Sequence, residues 1–216
     1  DSYARMVAHD LKNPLGSILS FTNLLLEKTA FGQPLEDKPL EMLKFTGKAA
    51  EKAIKIIDAL TLLANVSSAK EKVTLSALNM WDVVREVIQQ RLAHEIKDSH
   101  AQIEMPQSCP VVQSYGPWIE EIWFNYVSNG LKYGGQPPYL QLGADKASDG
   151  MRRFWVRDNG SGIAHQDQAR LFKPFTRLNH QTYRNGQGLG LSIVQQLVEK
   201  LGGQVGVEST VNQGSQ

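Results

Sequence analysis

The sequence has little of three things: cysteine, an excess of either charge, and long apolar runs. Cys109 is the only cysteine among the 216 residues, and a single thiol can form neither an internal disulfide nor a cysteine metal cluster. We therefore expect an inert thiol in a reducing compartment. Lys and Arg number 23 against 22 Asp and Glu, whereas a nucleic-acid-binding domain shows a basic excess, so nucleic acid is not an expected partner.

Apolar runs stay well short of the ~18 residues that a bilayer crossing needs, and no signal peptide opens the chain. We expect this stretch not to be membrane-inserted and to lie in the cytoplasm, which leaves open whether the full-length protein is anchored in a membrane. The chain begins at Asp1 without methionine and ends at Gln216 just after a strand-like segment. These ends indicate a fragment of a longer protein, truncated at its C-terminus.

Residues 1–68 predict two long helices, because apolar and small residues recur at alternating spacings of three and four. The first heptad seam comprises Val7, Leu11, Pro14, Ile18, Phe21 and Leu25. The second comprises Leu40, Leu43, Gly47, Ala50, Ile54, Ile57, Thr61 and Ala64. Residues 31–35 break the period and predict a short turn. A two-helix hairpin has little core of its own, so we expect a dimeric four-helix bundle; the alternative is packing on its own C-terminal domain.

From residue 73 onward, helical and strand-like segments alternate. The helices are predicted over about 79–98, 117–133 and 189–201. The strands are predicted near 73–75, 101–104, 111–113, 139–144, 152–157 and 204–208. Neighbouring strands with helices segregated around them predict an α+β sandwich. A polar junction at 67–72 places the domain boundary, so the chain is predicted to be multidomain: an all-α hairpin over 1–68 and an α+β domain over 69–216.

Four short strings carry residues suited to chemistry. The first lies on helix one, where His9 occupies the heptad position farthest from the seam and faces solvent. Asp10 follows it, and Asn13 lies one turn along the same face. An exposed histidine beside an aspartate is, by itself, an ordinary solvated pair.

The second string runs over 125–133 of a predicted helix. Its polar residues are spaced by four, three and one, so they share a face: Asn125, Asn129, Lys132 and Tyr133. Two amides and an ammonium are costly to bury without a polar ligand. The alternative is a solvated helix face.

The third and fourth strings are rich in glycine. Asp158 ends a predicted strand and can accept from an exocyclic amine, while Gly160 and Gly162 let the backbone approach a flat base; the alternative is a plain turn. In the fourth string, backbone N–H groups at a helix N-terminus favour an anion; its residues are Gly186, Gly188, Leu189 and Gly190. It is no Rossmann fingerprint, because no long apolar strand precedes it.

In this order, the four strings resemble the H, N, G1 and G2 boxes of bacterial sensor histidine kinases, and residues 173–178 resemble the F box between the last two. The resemblance covers nearly the whole chain. It implies a dimerisation and phosphotransfer hairpin followed by an ATP-binding domain of the Bergerat (GHKL-type) fold. The family's last glycine box continues into a further strand that this chain lacks, a departure expected to shorten the sheet edge and weaken nucleotide binding.

The resemblance also implies roles for individual residues. His9 would attack the γ-phosphate of ATP, while Asp10 holds the imidazole and takes its proton. Asn129 would hold Mg²⁺ through its amide oxygen, and Asn125 and Lys132 would reach the phosphates.

The remaining roles concern the base and the triphosphate. Asp158 would accept from the adenine amine, with Gly160 and Gly162 allowing close approach and Tyr133 near the base. The loop over about 176–187 would be a lid, with Arg177 and Arg184 over the triphosphate and the fourth string at the phosphates.

The implied partners are a second copy of the chain, as a homodimer, and the receiver domain of a response regulator. An aspartate of the regulator would take the phosphoryl group from His9, and Asn13 would orient a water that hydrolyses the phosphorylated regulator. Two alternatives remain. One is an ATP-driven machine resembling gyrase or heat-shock ATPases, which carry a glutamate where this chain has Asn125; in this chain Glu121 lies a further turn away. The other is a nucleotide-binding pseudokinase or scaffold.

Overall fold

The computed structural model describes residues 2–30, 38–68, 73–108, 110–146, 151–176 and 188–216, with side chains described from 11–25, 41–62 and the later ranges. Contacts divide the chain into two compact units, Asp1–Asn65 and Val66–Gln216. None of the helices in these ranges combines the length and apolar character that a membrane span requires.

Two helices build the first unit, α1 (Ser2–Ala30) and α2 (Lys38–Ser68). The ring of Phe21 on α1 stacks on the ring of Phe45 on α2, with centroids 5.8 Å apart. The predicted seam of α1 is confirmed over 11–25, where its apolar members are buried or half-buried and Pro14 is buried. The predicted turn lies outside the described residues.

Most of the seam predicted on α2 is not the face that α2 buries within a single chain. Leu43, Ile54 and Ile57 are 57%, 56% and 51% exposed, whereas Ala53 and Ile56 are only 6% and 1% exposed. A shift of one residue turns a helical face by about 100°. Because α2 carries two adjacent stripes of apolar and small residues, the period alone does not decide which stripe the hairpin buries.

The strands of the second unit form two small sheets. β1 (Ser76–Asn79) pairs antiparallel with β3 (Val111–Ser114). The second sheet has the order β2-β4-β5, formed by β2 (Gln102–Glu104), β4 (Tyr139–Lys146) and β5 (Arg152–Asp158). β2 runs parallel to β4, and β4 runs antiparallel to β5 with Gly143 opposite Trp155. The result is the predicted mixture of helices and a small mixed sheet.

Helices make up the rest of this unit. They are α3 (Met80–Glu86), a π-helical turn (Val87–Arg91), α4 (Ala93–Ser99), α5 (Gly116–Tyr133), α6 (His165–Gln168) and α7 (Gly190–Lys200). The two longest, α5 and α7, pack on each other, and α5 also packs on β4 and β5. Their apolar faces therefore close the core of the unit.

An aromatic cluster marks the centre of this core. Trp81 and Trp123 meet edge to face at 5.8 Å, and Phe154 lies 6.1 Å and 6.3 Å from them. Both indole N–H groups are satisfied: Trp81 Nε1 donates to the carbonyl of Ser108 and Trp123 Nε1 to the sulfur of Met80, each at 2.9 Å. Trp81 and Trp123 are 1% and 3% exposed, so both belong to the core.

Three predicted elements need correction. The first strand begins at Ser76, not at residue 73. The single helix predicted over 79–98 is interrupted at Leu92, which has φ −120° and ψ 2° and donates its N–H to the carbonyl of Val87. That i to i−5 bond closes the π-helical turn and inserts an extra residue into the helix.

The third correction concerns residues 204–208, which are not a strand. Exposure alternates along them as in a strand, so the period was real. Their backbone joins no ladder within the described residues; Glu208 instead exchanges two bonds with Gln216, at 2.7 and 2.8 Å. A period of two reports alternating burial and does not supply a pairing partner.

Candidate functional site

The polar face of α5 forms one side of the candidate site. The helix begins with a proline in its first turn, a position that needs no N–H donor. Asn125 is half-buried, and its Nδ2 donates to the carbonyl of Glu121, 2.8 Å away. This bond fixes the orientation of the amide and leaves Oδ1 as an acceptor on the opposite side.

The fourth sequence string meets α5 at Asn125. Gly190 opens α7, and a β-carbon built on it would overlap Asn125 Oδ1. The prediction that these two strings share a site is therefore supported by a direct contact. Leu189, 2% exposed, anchors the start of the helix in the core.

Further along α5 the side chains become more accessible. Asn129 is half-buried, and its amide makes no hydrogen bond within the part of the chain that the structure describes. Lys132 and Tyr133 are exposed at the end of the helix. Lys132 lines a cleft of about 690 Å³ with Ser99, His100, Leu131 and residues 134–138.

The third string packs on the end of α5. Asp158 is half-buried at the end of β5, and its Oδ1 accepts the N–H of Gly160 at 2.8 Å. A β-carbon on Gly160 would overlap the carbonyl oxygen of Tyr133. Glycine is thus required for this turn to seat on α5, and the contact brings Asp158 close to Tyr133.

Burial changes the acidity of Asp158. Removal from water raises the pKa of its carboxyl, and hydrogen bonds from the backbone N–H groups of Gly160 and Ser215 lower it by less. A carboxylate held partly out of water with spare acceptor capacity is suited to a polar ligand.

Sequence reasoning missed Asn159. Its Oδ1 accepts the N–H groups of Gly135 and Tyr139, both at 2.8 Å, and its Nδ2 donates to the carbonyl of Pro137 at 3.2 Å. Asparagine is a common turn residue, so its position in the third string indicated a turn and nothing more. The structure shows that it joins this turn to the loop after α5.

The turn over 209–216 was also missed. Gly162 and Gly214 have φ values of +67° and +81°, and β-carbons on them would overlap the carbonyl oxygens of Thr210 and Asp158. Asp158 N–H donates to the carbonyl of Ser215 at 2.8 Å, and Ile163 N–H donates to Ser209 Oγ at 2.8 Å. The last residues therefore pack on the third string, a pairing of distant loops that local sequence does not reveal.

Part of the predicted site is outside the described residues. These residues are Arg177, Arg184 and Gly186, which fall in 177–187. The described residues on either side of that segment lie close together: a β-carbon on Gly188, whose φ is +69°, would lie 2.7 Å from the carbonyl oxygen of Thr176.

Of the hairpin residues, the side chains of His9 and Asp10 likewise lie outside what the structure describes. Asn13 is exposed, and its carbonyl accepts a hydrogen bond from Ser17 Oγ at 3.1 Å. The predicted exposure of this helix face is thus observed at Asn13.

An ion pair holds the glutamate that lies one turn before Asn125. Arg91 donates to Oε1 of Glu121 at 2.6 Å and to Oε1 of Glu120 at 3.2 Å, with its guanidinium 3.9 Å above the ring of Phe124. This contact argues against Glu121 as a base for a water molecule, the role that an ATP-driven machine would need.

Two family models match the chain. Residues 2–68 match the His Kinase A (phospho-acceptor) domain. Residues 115–216 match the model of histidine kinase-, DNA gyrase B- and HSP90-like ATPases.

Curated relatives match over the full chain. Cyanobacterial phytochrome B of Nostoc sp. is 29% identical over 221 residues, covering 100% of this chain and 28% of that protein. Sensor histidine kinase AtsR of Burkholderia thailandensis is 29% identical over 223 residues, covering 100% of this chain and 36% of that protein. The chain therefore spans well under half the length of both relatives.

Solved structures share the fold. Histidine kinase AdeS of Acinetobacter baumannii matches with a TM-score of 0.73 and 20% identity, covering 96% of this chain and 94% of that chain. The structure of ThkA in complex with the response regulator TrrA matches with a TM-score of 0.73 and 17% identity, covering 100% of this chain and 59% of that chain. The structure of ShkA in complex with AMPPNP matches with a TM-score of 0.70 and 22% identity, covering 99% of this chain and 44% of that chain.

Proposed function

The chain belongs to the sensor histidine kinases, since its two regions match the phospho-acceptor and ATPase models of that family, and we propose that it phosphorylates its own His9 from ATP and passes the phosphoryl group to a response regulator. Residues 1–68 serve as the phosphotransfer hairpin and residues 69–216 as the ATP-binding domain. Because ATP is the donor, the reaction takes place in the cytoplasm.

One observation carries the nucleotide part of the proposal. Three sequence strings that are far apart in the chain meet along α5: Gly190 touches Asn125, and Gly160 touches the carbonyl of Tyr133. Both contacts leave no room for a side chain, as expected where backbone closes around a ligand site. A structural neighbour, ShkA, binds AMPPNP, which supports ATP as the ligand class.

In this proposal the base lies at the third string and the phosphates at α7. Asp158 accepts a hydrogen bond from the exocyclic amine of adenine, with Tyr133 beside the base and Gly160 and Gly162 allowing close approach. The phosphates are reached by Asn125 and Lys132, by the loop residues Arg177 and Arg184, and by the N-terminus of α7 with Gly186, Gly188, Leu189 and Gly190.

Magnesium fits this donor set through Asn129. Its amide oxygen is a hard ligand of the kind Mg²⁺ accepts alongside substrate phosphates, and the amide is not otherwise bonded within the described residues. In those residues, no group of three or more His, Cys, Asp or Glu side chains is placed to hold a metal. Most of the magnesium ligands would therefore come from the phosphates and not from protein side chains. Magnesium, when bound, neutralises charge on the triphosphate.

The hairpin supplies the nucleophile. A ring nitrogen of His9 attacks the γ-phosphorus, the bond to the bridging oxygen of ADP breaks, and Asp10 takes the imidazole proton. The phosphoryl group then passes to an aspartate of a receiver domain, and Asn13 orients water for hydrolysis of the phosphorylated regulator. ThkA was solved in complex with a response regulator, which supports this class of partner.

A homodimer completes the proposed unit. Leu15, Leu19 and Ile54 of the hairpin are 54%, 62% and 56% exposed in a single chain. Exposed apolar stripes of this kind on two long helices are suited to a four-helix bundle with a second copy.

The test is phosphorylation with γ-labelled ATP and Mg²⁺. The parent chain should acquire label that is stable to alkali and labile to acid, and His9→Gln should acquire none. His94→Gln is a matched control, because His94 is an exposed helical histidine with a neighbouring acid, Asp98, at 3.2 Å; it should label like the parent. Label retained by His9→Gln would contradict the proposal, and nucleotide binding without label on any variant would assign the chain as a scaffold.

A further inference from the structure

The side chain of Asn159 is bonded entirely to one loop. Its oxygen accepts from Gly135 N–H and Tyr139 N–H, and its nitrogen donates to the carbonyl of Pro137. An amide oxygen has two lone pairs, and here both are used. Asn159 itself is exposed, so these bonds are made at the surface of the unit and are not forced by burial of the amide.

The loop that Asn159 holds follows α5 directly. It joins Tyr133, the last residue of α5, to Tyr139, the first residue of β4. The fit is close on both sides: a β-carbon on Gly135 would lie 2.6 Å from Asn159 Nδ2, and one on Gly160 would overlap the carbonyl oxygen of Tyr133. The backbone of 158–160 is therefore fixed to the end of α5 at two points.

These contacts fix the position of Asp158 relative to the end of α5. Asp158 precedes Asn159, and its carboxylate accepts the N–H of Gly160. A displacement of residues 159–160 relative to α5 would move the carboxylate relative to Tyr133 without changing its charge. Position and charge of the acceptor are thus controlled by different residues.

We propose that Asn159 is a positioning residue that sets where Asp158 stands relative to Tyr133, and through Asp158 contributes to selection of adenine over other purine bases. The inference rests on the proposed function, in which Asp158 accepts from the adenine amine. A hydrogen bond to a substrate group discriminates strongly only when the acceptor is held in place. Loss of the Asn159 bonds should therefore lower discrimination more than it lowers general affinity for a triphosphate.

The probes are ATP and inosine triphosphate, which carries a carbonyl oxygen in place of the amine. Dissociation constants for both are measured on the full chain with Mg²⁺. The readout is the ratio of the dissociation constant for inosine triphosphate to that for ATP, which is the preference for ATP. Asn159→Ala should weaken ATP binding by about tenfold and inosine triphosphate binding by less than about twofold. A role confined to stabilising the fold would weaken both nucleotides together and leave the ratio unchanged.

A second variant reaches the same contact from the other side. Gly135→Ala places a β-carbon against Asn159 Nδ2 while leaving the Asn159 side chain intact, and should lower the ratio in the same direction. Gln141→Ala is the control: Gln141 is an amide on β4 that bonds to Glu104 and to the hydroxyl of Tyr139, at 3.2 and 3.0 Å. It should keep the parent ratio.

Asp158→Asn separates the inference from the proposed function. If the parent binds both nucleotides equally and Asp158→Asn changes nothing, the assignment of Asp158 to the adenine amine is wrong. If the parent prefers ATP and Asp158→Asn abolishes the preference, but Asn159→Ala and Gly135→Ala retain it, Asn159 does not position Asp158. The inference stands if all three variants lose the preference.

Discussion

Gly190 lies so close to Asn125 that a β-carbon at residue 190 would overlap the side-chain oxygen of Asn125. The amide of Asn125 is held in one orientation, because its nitrogen donates to the carbonyl of Glu121 at 2.8 Å. The side chain therefore has no free rotation with which to move aside. The contact joins the first turn of α7 to the middle of α5.

Gly190→Ala should consequently weaken ATP binding while the fold persists. The methyl group displaces either Asn125 or the start of α7, and alanine's higher helix propensity, about 1 kcal/mol over glycine, compensates part of the cost. We expect ATP affinity to fall by tenfold or more, a loss of at least about 1.4 kcal/mol. Titration with ATP and thermal unfolding measure the two effects.

Gly206→Ala is the control for this substitution, because nothing lies within 4 Å of a β-carbon at residue 206. It should bind ATP like the parent. Parent-like affinity in Gly190→Ala would show that the first turn of α7 adapts freely and is not fitted to Asn125.

Asp158→Asn should stabilise the unliganded protein while abolishing preference for adenine. Burial raises the pKa of Asp158 above its ordinary value of 3.8, so the folded state pays for the ionised carboxyl. That cost is absent below about pH 3.8, grows as the pH rises through the raised pKa, and is complete at neutral pH. The amide carries no charge and still offers an oxygen to Gly160 N–H.

Urea unfolding at pH 7 and near pH 4 measures this difference. All four tryptophans lie in the second unit, so their fluorescence follows the unit that contains Asp158. The variant's advantage should shrink on acidification. A variant less stable than the parent at pH 7 would mean that the carboxylate's hydrogen bonds outweigh its burial.

Tyr126 should make the second unit sensitive to alkali. Burial raises the pKa of the Tyr126 hydroxyl from 10.0 to about 12. Above pH 10, this hydroxyl therefore loses its proton in the unfolded chain and keeps it in the folded chain. Stability then falls by up to about 1.4 kcal/mol per pH unit between pH 10 and 12. Tyr126→Phe should remove this part of the fall, and unfolding midpoints at pH 8, 10 and 11 test it. If the unfolding midpoints of parent and variant fall equally with pH, Tyr126 is not the source of the alkali sensitivity.

The elements that sequence predicts well have local signals at both ends. α5 has Pro117 in its first turn and is followed directly by Gly134, and the predicted span of 117–133 matches Gly116–Tyr133. β4 alternates in burial over its first four residues, Tyr139–Leu142, as its predicted strand requires. In these cases neighbouring residues alone determine where the element starts and stops.

The elements that sequence does not predict depend on distant residues. The interruption at Leu92 has no glycine or proline, and it coincides with Arg91 reaching across to α5. Asn159 and the turn over 209–216 act through hydrogen bonds to loops 20 or more residues away. The glycine strings predicted which residues belong to the candidate site, but the hydrogen bonds between those strings could not be inferred from spacing.

A double-mutant cycle on Arg91 and Glu121 tests whether this long-range pair stabilises the π-helical turn. The turn inserts one extra residue before Leu92, which rotates Arg91 toward α5, where it meets Glu121 at 2.6 Å with side chains 30% and 31% exposed. Partial burial limits solvent screening, so Arg91→Gln and Glu121→Gln should show a coupling energy of about 1 kcal/mol in urea unfolding. The coupling should fall at 1 M salt, because the Debye length shrinks to about 3 Å. A coupling near zero at low salt would mean that the stacking of Arg91 on Phe124, and not the ion pair, accounts for the bulge.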